Sequence, residues 1–461
     1  MSINRISLRN FKCFRNLDVD FSKITLLTGE NSSGKSSLVY GLLSVFQSNG
    51  FPLYLSPNGK YVSMGDFLEM AFGNRRDNEI GIDISLTTQE GEHNFETSWV
   101  LDTSNNMPKL HHLKATSSFV DLEIEAKDDT GYVLSFNYDS EEYFKSRDFE
   151  LSKVVYSFLE SIEEIAFEEE SESEEKVSER ESRFQKMKKG LLEINNIESL
   201  KVEDLGDLGD ILIETDNAGA LRTIGKLSGI FEHIDSNLNF ISSFRLQPER
   251  TYYRKLNYEN KVGRLGENYI DQILEWYGRK SKRLNELRSI LRKLGLLNSI
   301  SVRKLRGGRF ELRAKVKCKG IWAPLPDVGF GISQFLPIVV ADLQLSRNSV
   351  LVVAQPEIHL HPSVQAALAD YFVEQANEKE KRYILETHSE YLLNRIRLNI
   401  VKGKIEPSDI SVYYFENSPE GSTEHKLEFT KDGQIKNAPQ GFFDTYMMDV
   451  MDIALNAQAS G

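Results

Sequence analysis

The sequence predicts an α/β protein with a mixed sheet core, an antiparallel β subdomain and an inserted helical arm. Three patterns support this class. A short apolar strand at 24–28 runs through a glycine-containing loop into a helix at 36–46. Within 79–140, apolar and polar residues alternate in short runs, which favours an antiparallel meander. Strands and helices alternate between 350 and 402, as they do when helices cover a parallel sheet.

The composition is that of an ordinary globular protein with several structural units. The chain has 461 residues, 40% of them hydrophobic and 27% charged, and at roughly 100–200 residues per domain it should form two to four units. Lys and Arg total 56 against 69 Asp and Glu, a net charge of −13, so any contact with nucleic acid must be local. The cysteines, Cys13 and Cys318, are in no disulfide or zinc-site pattern. We expect a cytoplasmic protein, because the start of the chain predicts neither a signal peptide nor an anchor.

The pattern divides the chain into three predicted domains. An N-terminal lobe, 1–140, contains two opening strands around a turn at 10–16, then the loop and the meander. An inserted arm, 141–240, is charged and favours helices, with an acidic run at 160–175. An exposed helical hairpin explains this arm, and a protruding arm that meets a partner is the alternative; the sequence leaves both open. A C-terminal lobe, 241–461, holds the alternating strands and helices and ends in a hairpin.

A basic region at 279–319 stands out in this acidic chain. The pattern predicts a helix over 263–297, followed by strands over 299–319. A phosphate backbone, or an acidic protein that resembles one, could be held here. A solvated face partnered by the acidic arm explains the same charges, because Phe310 is the single aromatic residue among them that could stack on a base.

The strongest motif is the run Gly-Glu-Asn-Ser-Ser-Gly-Lys-Ser at 29–36, between a predicted strand and a predicted helix. In such a loop the backbone N–H groups and the helix N-terminus face phosphate oxygens. Lys35 should bridge the β- and γ-phosphates of a nucleotide, and the Ser36 hydroxyl should ligate Mg²⁺. The predicted nucleotide-binding residues are Gly29, Asn31, Ser32, Ser33, Gly34, Lys35, Ser36 and Ser37.

Three later places narrow the choice among nucleotide-binding proteins. A glycine-rich turn at 327–334 precedes an apolar helix and offers Gly331 and Ser333 to a phosphate. A buried strand at 350–353 ends in a polar turn, and the next strand ends at Glu386 and is followed by Thr387 and His388.

This ordered set, together with Arg9-Asn10-Phe11-Lys12, resembles the ATP-binding-cassette (ABC) ATPases of the SMC and OLD kind. The resemblance implies an ABC-type P-loop ATPase that uses ATP and Mg²⁺. It also implies that Ser333 belongs to a signature that closes on ATP bound by a facing protomer, so that the chain forms head-to-tail dimers. His388 would contact the γ-phosphate. In this superfamily the segment with His359 and His361 is a loop, which disfavours a metal site there.

One departure concerns the end of the strand at 350–353. The pattern of the superfamily has two adjacent acidic residues where this chain has Ala354 and Gln355, and the nearby carboxylate is Glu357. Phosphoryl transfer depends on placing Mg²⁺ and the attacking water, so hydrolysis should be slow or absent. The candidate catalytic residues are Glu357, Gln355 and His388. Three explanations stay open: Glu357 takes over part of the role, this subgroup hydrolyses weakly, or Ala354 is an engineered replacement that traps ATP.

The segments Gly263–Glu267 and 438–444 are similar to a bacterial subgroup of small ATPases that work in anti-phage defence. The likeness is to the ATPase subunits of PARIS systems, with those of Septu systems as competitors. It implies a homo-oligomer that holds an effector nuclease of the toprim kind and responds to a phage trigger protein, which could mimic DNA. The alternative is an SMC-like DNA-repair ATPase that clamps DNA, but 141–240 is too short and irregular for long coiled-coil arms. An OLD nuclease would need a toprim domain of its own, for which the residues after His388 leave no room.

Overall fold

This computed structural model describes residues 2–127, 131–145, 147–166, 174–253 and 261–439, which form both strands and helices. The strands are β1 (Ser2–Phe11), β2 (Phe14–Asp20), β3 (Ile24–Gly29), β4 (Ile80–Thr88), β5 (Gly91–Leu101), β6 (Pro108–Thr116), β7 (Val120–Ala126), β8 (Tyr132–Tyr138), β9 (Ile197–Val202), β10 (Leu238–Ile241), β11 (Tyr252–Tyr253), β12 (Ser299–Lys304), β13 (Arg309–Lys315), β14 (Ala323–Pro324), β15 (Val350–Ala354), β16 (Arg382–Glu386), β17 (Ile410–Ser418), β18 (Gly421–Phe429) and β19 (Ile435–Lys436). The helices are α1 (Lys35–Gln47), α2 (Phe67–Met70), α3 (Ser140–Lys145), α4 (Arg147–Ala166), α5 (Glu174–Lys189), α6 (Leu208–Glu214), α7 (Ala218–Ser236), α8 (Tyr269–Gly278), α9 (Lys282–Lys293), α10 (Phe330–Gln344), α11 (Pro362–Glu378) and α12 (Glu390–Val401).

The chain divides into two compact units. One contains the residues up to Val19 and Tyr40–Ser236, and the other contains Asp20–Val39 and the residues from Asn237 onward. The three domains predicted from the sequence, with bounds at 140 and 240, stay a prediction.

The first unit is built on an eight-stranded sheet in the order β2-β1-β4-β5-β6-β7-β8-β9. Its pairs from β1–β4 to β8–β9 are antiparallel. Of these strands, β4 to β8 form the antiparallel meander that the alternating pattern within 79–140 predicts. In β1 the side chains of Ile6 and Leu8 are buried, while Arg9 lies on the other face, because successive residues of a strand point to opposite faces.

Of the predicted arm at 141–240, the described residues up to Ser236 belong to this unit and include more than helices. The helical pattern misses β9, which pairs with β8 at the edge of the sheet. Helix α7 buries apolar residues at helical spacing, and the ring of Phe231 lies 4.7 Å from that of Phe51 and 4.8 Å from that of Phe95, both edge-on. Such edge-to-face pairs add to the stability that burial provides. Part of the acidic run, 167–173, lies outside the described residues.

The second unit is built on a seven-stranded mixed sheet in the order β10-β15-β16-β3-β17-β18-β19. The five strands from β10 to β17 are parallel, and β17, β18 and β19 are antiparallel. Strand β15 is buried along its whole length, as expected of a parallel strand covered on both faces. The predicted α/β class, with a mixed sheet, an antiparallel sheet and inserted helices, is confirmed.

The predicted elements of this unit are confirmed with one correction. A single helix over 263–297 is wrong: α8 and α9 are separated by 279–281, where Lys280 has a φ of 51° and Ser281 caps α9 by accepting the Arg283 amide. The final hairpin is present as β17 and β18. Of the segment at 438–444, residues 440–444 lie outside the described part of the chain. No helix in that described part is both long and apolar enough to cross a membrane.

Candidate nucleotide-binding site

The carboxyl ends of three parallel strands meet at one edge of the mixed sheet. Ala354, at the end of β15, lies in register beside Glu386 at the end of β16, and Glu386 lies beside Leu27 of β3. The Gln355 amide continues this ladder by donating to the Glu386 carbonyl at 2.7 Å. The loops that follow the strands therefore converge, and open α/β sheets bind their ligands at this edge.

The loop after β3 has a backbone shape that depends on its glycines. Gly29 has a φ of 129°, and a Cβ at this residue would lie 2.2 Å from the Phe415 carbonyl oxygen of β17. Gly34 also has a positive φ, 100°. The Ser33 hydroxyl closes the loop by donating to the Glu30 carbonyl at 2.8 Å. The chain then enters α1, whose first N–H groups have no acceptor within the helix and favour an anion.

Lys35, the first residue of α1, is buried against this loop. Its ammonium donates to the carbonyls of Gly29, at 3.1 Å, and Glu30. Burial lowers the pKa of Lys35, and the charges of Glu386 and Glu30 act in the opposite direction. Around it, Asn31, Ser32 and Ser36 are exposed and Ser37 is half-buried.

Ser36 contacts a carboxylate from the neighbouring strand. Its hydroxyl donates to Glu386, with distances of 3.0 Å to Oε1 and 3.1 Å to Oε2. Glu386 is buried, which raises its pKa, while the Ser36 hydrogen bond and the charge of Lys35 oppose the shift. A hydroxyl beside a carboxylate forms a set of hard oxygen donors, which is the kind that Mg²⁺ prefers. The residues present therefore fit a Mg²⁺-bound nucleotide.

The turn after β15 holds a second buried carboxylate, Glu357. Its Oε1 accepts the His388 amide at 2.8 Å, and its Oε2 is buried without a hydrogen-bond partner among the described residues. Burial raises the pKa of Glu357, while hydrogen bonds from the His388 and Glu357 amides and the Thr387 side chain, and the charge of Arg245, act to lower it. This carboxylate is therefore a stronger proton acceptor than an ordinary glutamate. Gln355 enters the same turn with a φ of 48°.

Arg245 holds this turn from a position four residues after β10. Its guanidinium is buried and donates to the carbonyls of Ala354, at 2.6 Å, and Gln355, at 3.2 Å. Burial lowers the pKa of Arg245 to about 10, while the charge of Glu357 acts to raise it. The same cation thus fixes the backbone of the turn and partly offsets the charge of Glu357.

His388 lies two residues after Glu386, and its side chain is exposed. Partial burial and the charge of Lys35 both lower its pKa. Its imidazole is therefore mainly neutral at pH 7 and can donate one hydrogen bond or accept one.

Gly331 and Ser333 lie in the first turns of α10, not before the helix. A Cβ at Gly331 would lie 2.4 Å from the His359 carbonyl oxygen, so glycine allows the helix to approach the turn after β15. The Ser333 hydroxyl is buried and donates to the Phe330 carbonyl at 2.7 Å. In this arrangement the hydroxyl is used within its own helix.

The predicted site residues fall into two groups in the structure. Hydrogen bonds through Glu386 and His388 connect the phosphate-binding loop at 29–36 with Glu357, whereas Gly331 and Ser333 have other contacts. Ser36 contacts Glu386, and the chain that continues from Glu386 reaches Glu357 through the amide of His388. The contacts of Gly331 and Ser333 are with His359 and Phe330.

Comparison with known proteins assigns the chain to a family. Residues 1–393 match the family described as AAA ATPase domain. The chain belongs to this AAA ATPase domain family. Residues 405–453 of the ATPase match a second family, which is described as a protein of unknown function, DUF3696. No curated protein matches the sequence.

Three of the solved structures similar to this AAA ATPase are heads of SMC proteins. An Smc head domain with an extended coiled coil, bound to the C-terminal domain of ScpA from Pyrococcus furiosus, is 11% identical with a TM-score of 0.41, over 98% of this chain and 99% of that chain. An SmcHead bound to the C-winged helix domain of ScpA is 11% identical with a TM-score of 0.44, over 93% and 98%. The SMC head domain from Thermotoga maritima is 9% identical with a TM-score of 0.38, over 93% and 100%.

Two residues of this AAA ATPase site, Glu386 and Arg245, are missed by reasoning from the sequence. Glu386 directly precedes Thr387 and His388 at a strand end, which is a signal that the sequence contains. Arg245 follows a short strand and belongs to no motif. Its role depends on β10 and β15 being neighbours, which the fold alone determines.

Proposed function

We propose that this chain binds ATP with Mg²⁺ at the loop 29–36 and hydrolyses it slowly. The observation that carries the proposal is the contact of Ser36, directly after the loop lysine, with the buried carboxylate of Glu386. Lys35 would hold the β- and γ-phosphates, and the exposed loop residues would line the same site. When bound, Mg²⁺ would neutralise charge that develops on the phosphates.

The proposed catalytic residues are Glu357, Gln355 and His388. Glu357 would accept a proton from the attacking water, because burial makes its carboxylate more basic. Gln355 would hold that water without accepting its proton, and neutral His388 would contact the γ-phosphate. Gly331 and Ser333 would act on ATP bound by a second copy, in a head-to-tail dimer.

Replacing Lys35 by Ala is expected to weaken ATP binding by about 10- to 100-fold, because hydrogen bonds to charged groups contribute about 1.5–3 kcal/mol. The measurement is titration of a fluorescent ATP analogue by anisotropy. Lys23→Ala is the matched control. Lys23 lies in the same unit and forms a partly exposed ion pair with Asp409, and the loss of such a pair has little effect on stability. Equal affinity of the Lys35→Ala variant and the natural chain would contradict the proposal.

We propose further that ATP binding serves an oligomeric sensor and scaffold in cytoplasmic anti-phage defence. The motifs resemble those of AriA, the ATPase subunit of the PARIS system, with PtuA of Septu as the competitor. The chain would sequester a toprim-type effector nuclease, like AriB, and release it when a phage trigger protein arrives. The turn between β12 and β13 supports an acidic or DNA-mimicking trigger, because Lys304, Arg306 and Arg309 are all exposed there. Several other cations of the region pair nearby: Arg279 with Glu275, Lys293 with Glu374 and Arg303 with Glu311.

Co-expression with the products of its genomic neighbours tests this role. We expect a nuclease to co-purify in a manner that depends on ATP, and we expect charge reversal at Lys304, Arg306 and Arg309 to abolish release by the trigger. Reversal at the paired cations Arg279 and Lys293 is the control. A chain that purifies without a nuclease and retards duplex DNA in the presence of ATP would instead indicate a DNA clamp of the SMC kind.

A further inference from the structure

We propose that Glu386, at the end of β16, is the carboxylate that holds Mg²⁺ beside Ser36, in place of an acidic residue at the end of β15. This inference rests on the proposed ATP site, and it identifies Glu386 as the protein carboxylate that holds Mg²⁺ there together with Ser36. In this chain the carboxylate that would hold the metal therefore lies on β16, the strand next to β15 in the sheet.

The order of the strands explains why a carboxylate on β16 can replace one on β15. β16 lies between β15 and β3, and Ala354 and Glu386 are register partners at the ends of their strands. A side chain at 386 therefore starts one strand nearer to the loop than a side chain at 354. The glutamate reaches Ser36 directly, with both carboxylate oxygens within 3.1 Å of its hydroxyl.

The charge at this position also favours a cation. Glu386 is 7% exposed, and a buried carboxylate is costly unless its charge is compensated. Lys35 contributes positive charge, but its ammonium donates to the loop carbonyls of Gly29 and Glu30. A divalent cation between Ser36 and Glu386 would compensate the carboxylate and would at the same time be shared with phosphate oxygens.

The Ser36 hydroxyl and the Glu386 carboxylate are suitable donors for Mg²⁺ that is also bound by a nucleotide. They are too few to hold a metal ion without one. Across the described residues, no group of three or more His, Cys, Asp or Glu side chains could hold a metal ion. Mg²⁺ is commonly held by one or two carboxylates together with substrate phosphates and water. A single carboxylate beside the loop serine meets that requirement.

The test compares nucleotide affinity in Mg²⁺ with affinity in EDTA, using a non-hydrolysable ATP analogue. For Glu386→Gln we expect the gain in affinity that Mg²⁺ provides to fall by about 10- to 100-fold, the usual effect of losing a group that positions a metal. In EDTA the variant should bind as well as the natural chain or more tightly, because a negative charge near the phosphates has been removed. Adding Ala354→Asp to Glu386→Gln should restore part of the Mg²⁺ effect, since it places a carboxylate on the adjacent strand.

A second readout is the affinity for Mn²⁺ in the presence of the analogue, measured by electron paramagnetic resonance, which should fall in Glu386→Gln. Glu390→Gln, four residues along the chain in α12, is the matched control and should leave both readouts unchanged. A full Mg²⁺ effect in Glu386→Gln would overturn the inference, as would an equal loss of affinity in Mg²⁺ and in EDTA. Failure of the natural chain to bind the analogue would instead refute the ATP site itself.

Discussion

Replacing Glu357 by Gln should lower the rate of ATP hydrolysis by about 10²–10⁴-fold, which is the range that a positioned general base contributes, while ATP affinity stays nearly unchanged. The substitution keeps the shape of the side chain and an oxygen that can accept the His388 amide. It removes the basic carboxylate that can take a proton, because an amide is not a base at neutral pH. Binding and hydrolysis should therefore separate in this variant.

The surroundings of Glu357 favour this role over a purely structural one. A carboxylate that only held the backbone would use its oxygens in hydrogen bonds, whereas Oε2 is buried and has no such partner among the described residues. Arg245 keeps the turn in place by donating to its carbonyls. Since Ala354 and Gln355 supply no carboxylate, Glu357 is the acidic side chain of this turn.

Single-turnover hydrolysis of labelled ATP measures the effect, because slow multiple-turnover rates would be difficult to separate from background. Glu378→Gln is the matched control: Glu378 is exposed at the end of α11, and its loss should leave the rate unchanged. Retention of the natural rate by Glu357→Gln would assign the proton acceptor elsewhere. A fall in ATP affinity equal to the fall in rate would show that the residue serves binding.

The sequence was sufficient to predict the loop, because that part of the site is local. Residues 29–36 follow one another along the chain, and the strand before them and the helix after them have clear periodicity. The backbone geometry at Gly29 and Gly34 matches what such a loop requires. Strands of the last third were predictable for the same reason: β15 is a continuous apolar run and His388 follows a second one.

The rest of the fold and site depends on which strands become neighbours, and that information is not local. Glu386 is 350 residues from Ser36 along the chain, and they meet because β16 inserts between β15 and β3. A comparison of motifs looks for acidic residues at 354 and 355 and so passes over the adjacent strand. Strand β9 was missed for a related reason, since a short edge strand gains its partner only in the folded sheet.

Replacing Asp342 by Ala is expected to destabilise the protein by about 3–5 kcal/mol, the usual cost of removing one partner of a buried ion pair. Asp342 lies in α10 and is fully buried. Its Oδ1 is 3.2 Å from the Lys381 ammonium and accepts the Tyr383 hydroxyl at 2.9 Å, and Oδ2 accepts the Tyr371 hydroxyl. Loss of the carboxylate would leave a buried cation and two buried hydroxyls without this acceptor.

Thermal unfolding checks the prediction, with an expected fall in the midpoint of about 6–20 °C for a unit of this size. Glu380→Ala is the control, because Glu380 forms an exposed pair with Arg347 and such pairs contribute about 0–1 kcal/mol. The double replacement Asp342→Leu with Lys381→Met should cost much less than Asp342→Ala, since an apolar pair leaves no charge uncompensated. If the double variant is as unstable as Asp342→Ala, packing or the tyrosine hydrogen bonds would account for the loss. The ion pair would then have no special part in attaching α10, the helix that carries Ser333, to β16 and α11.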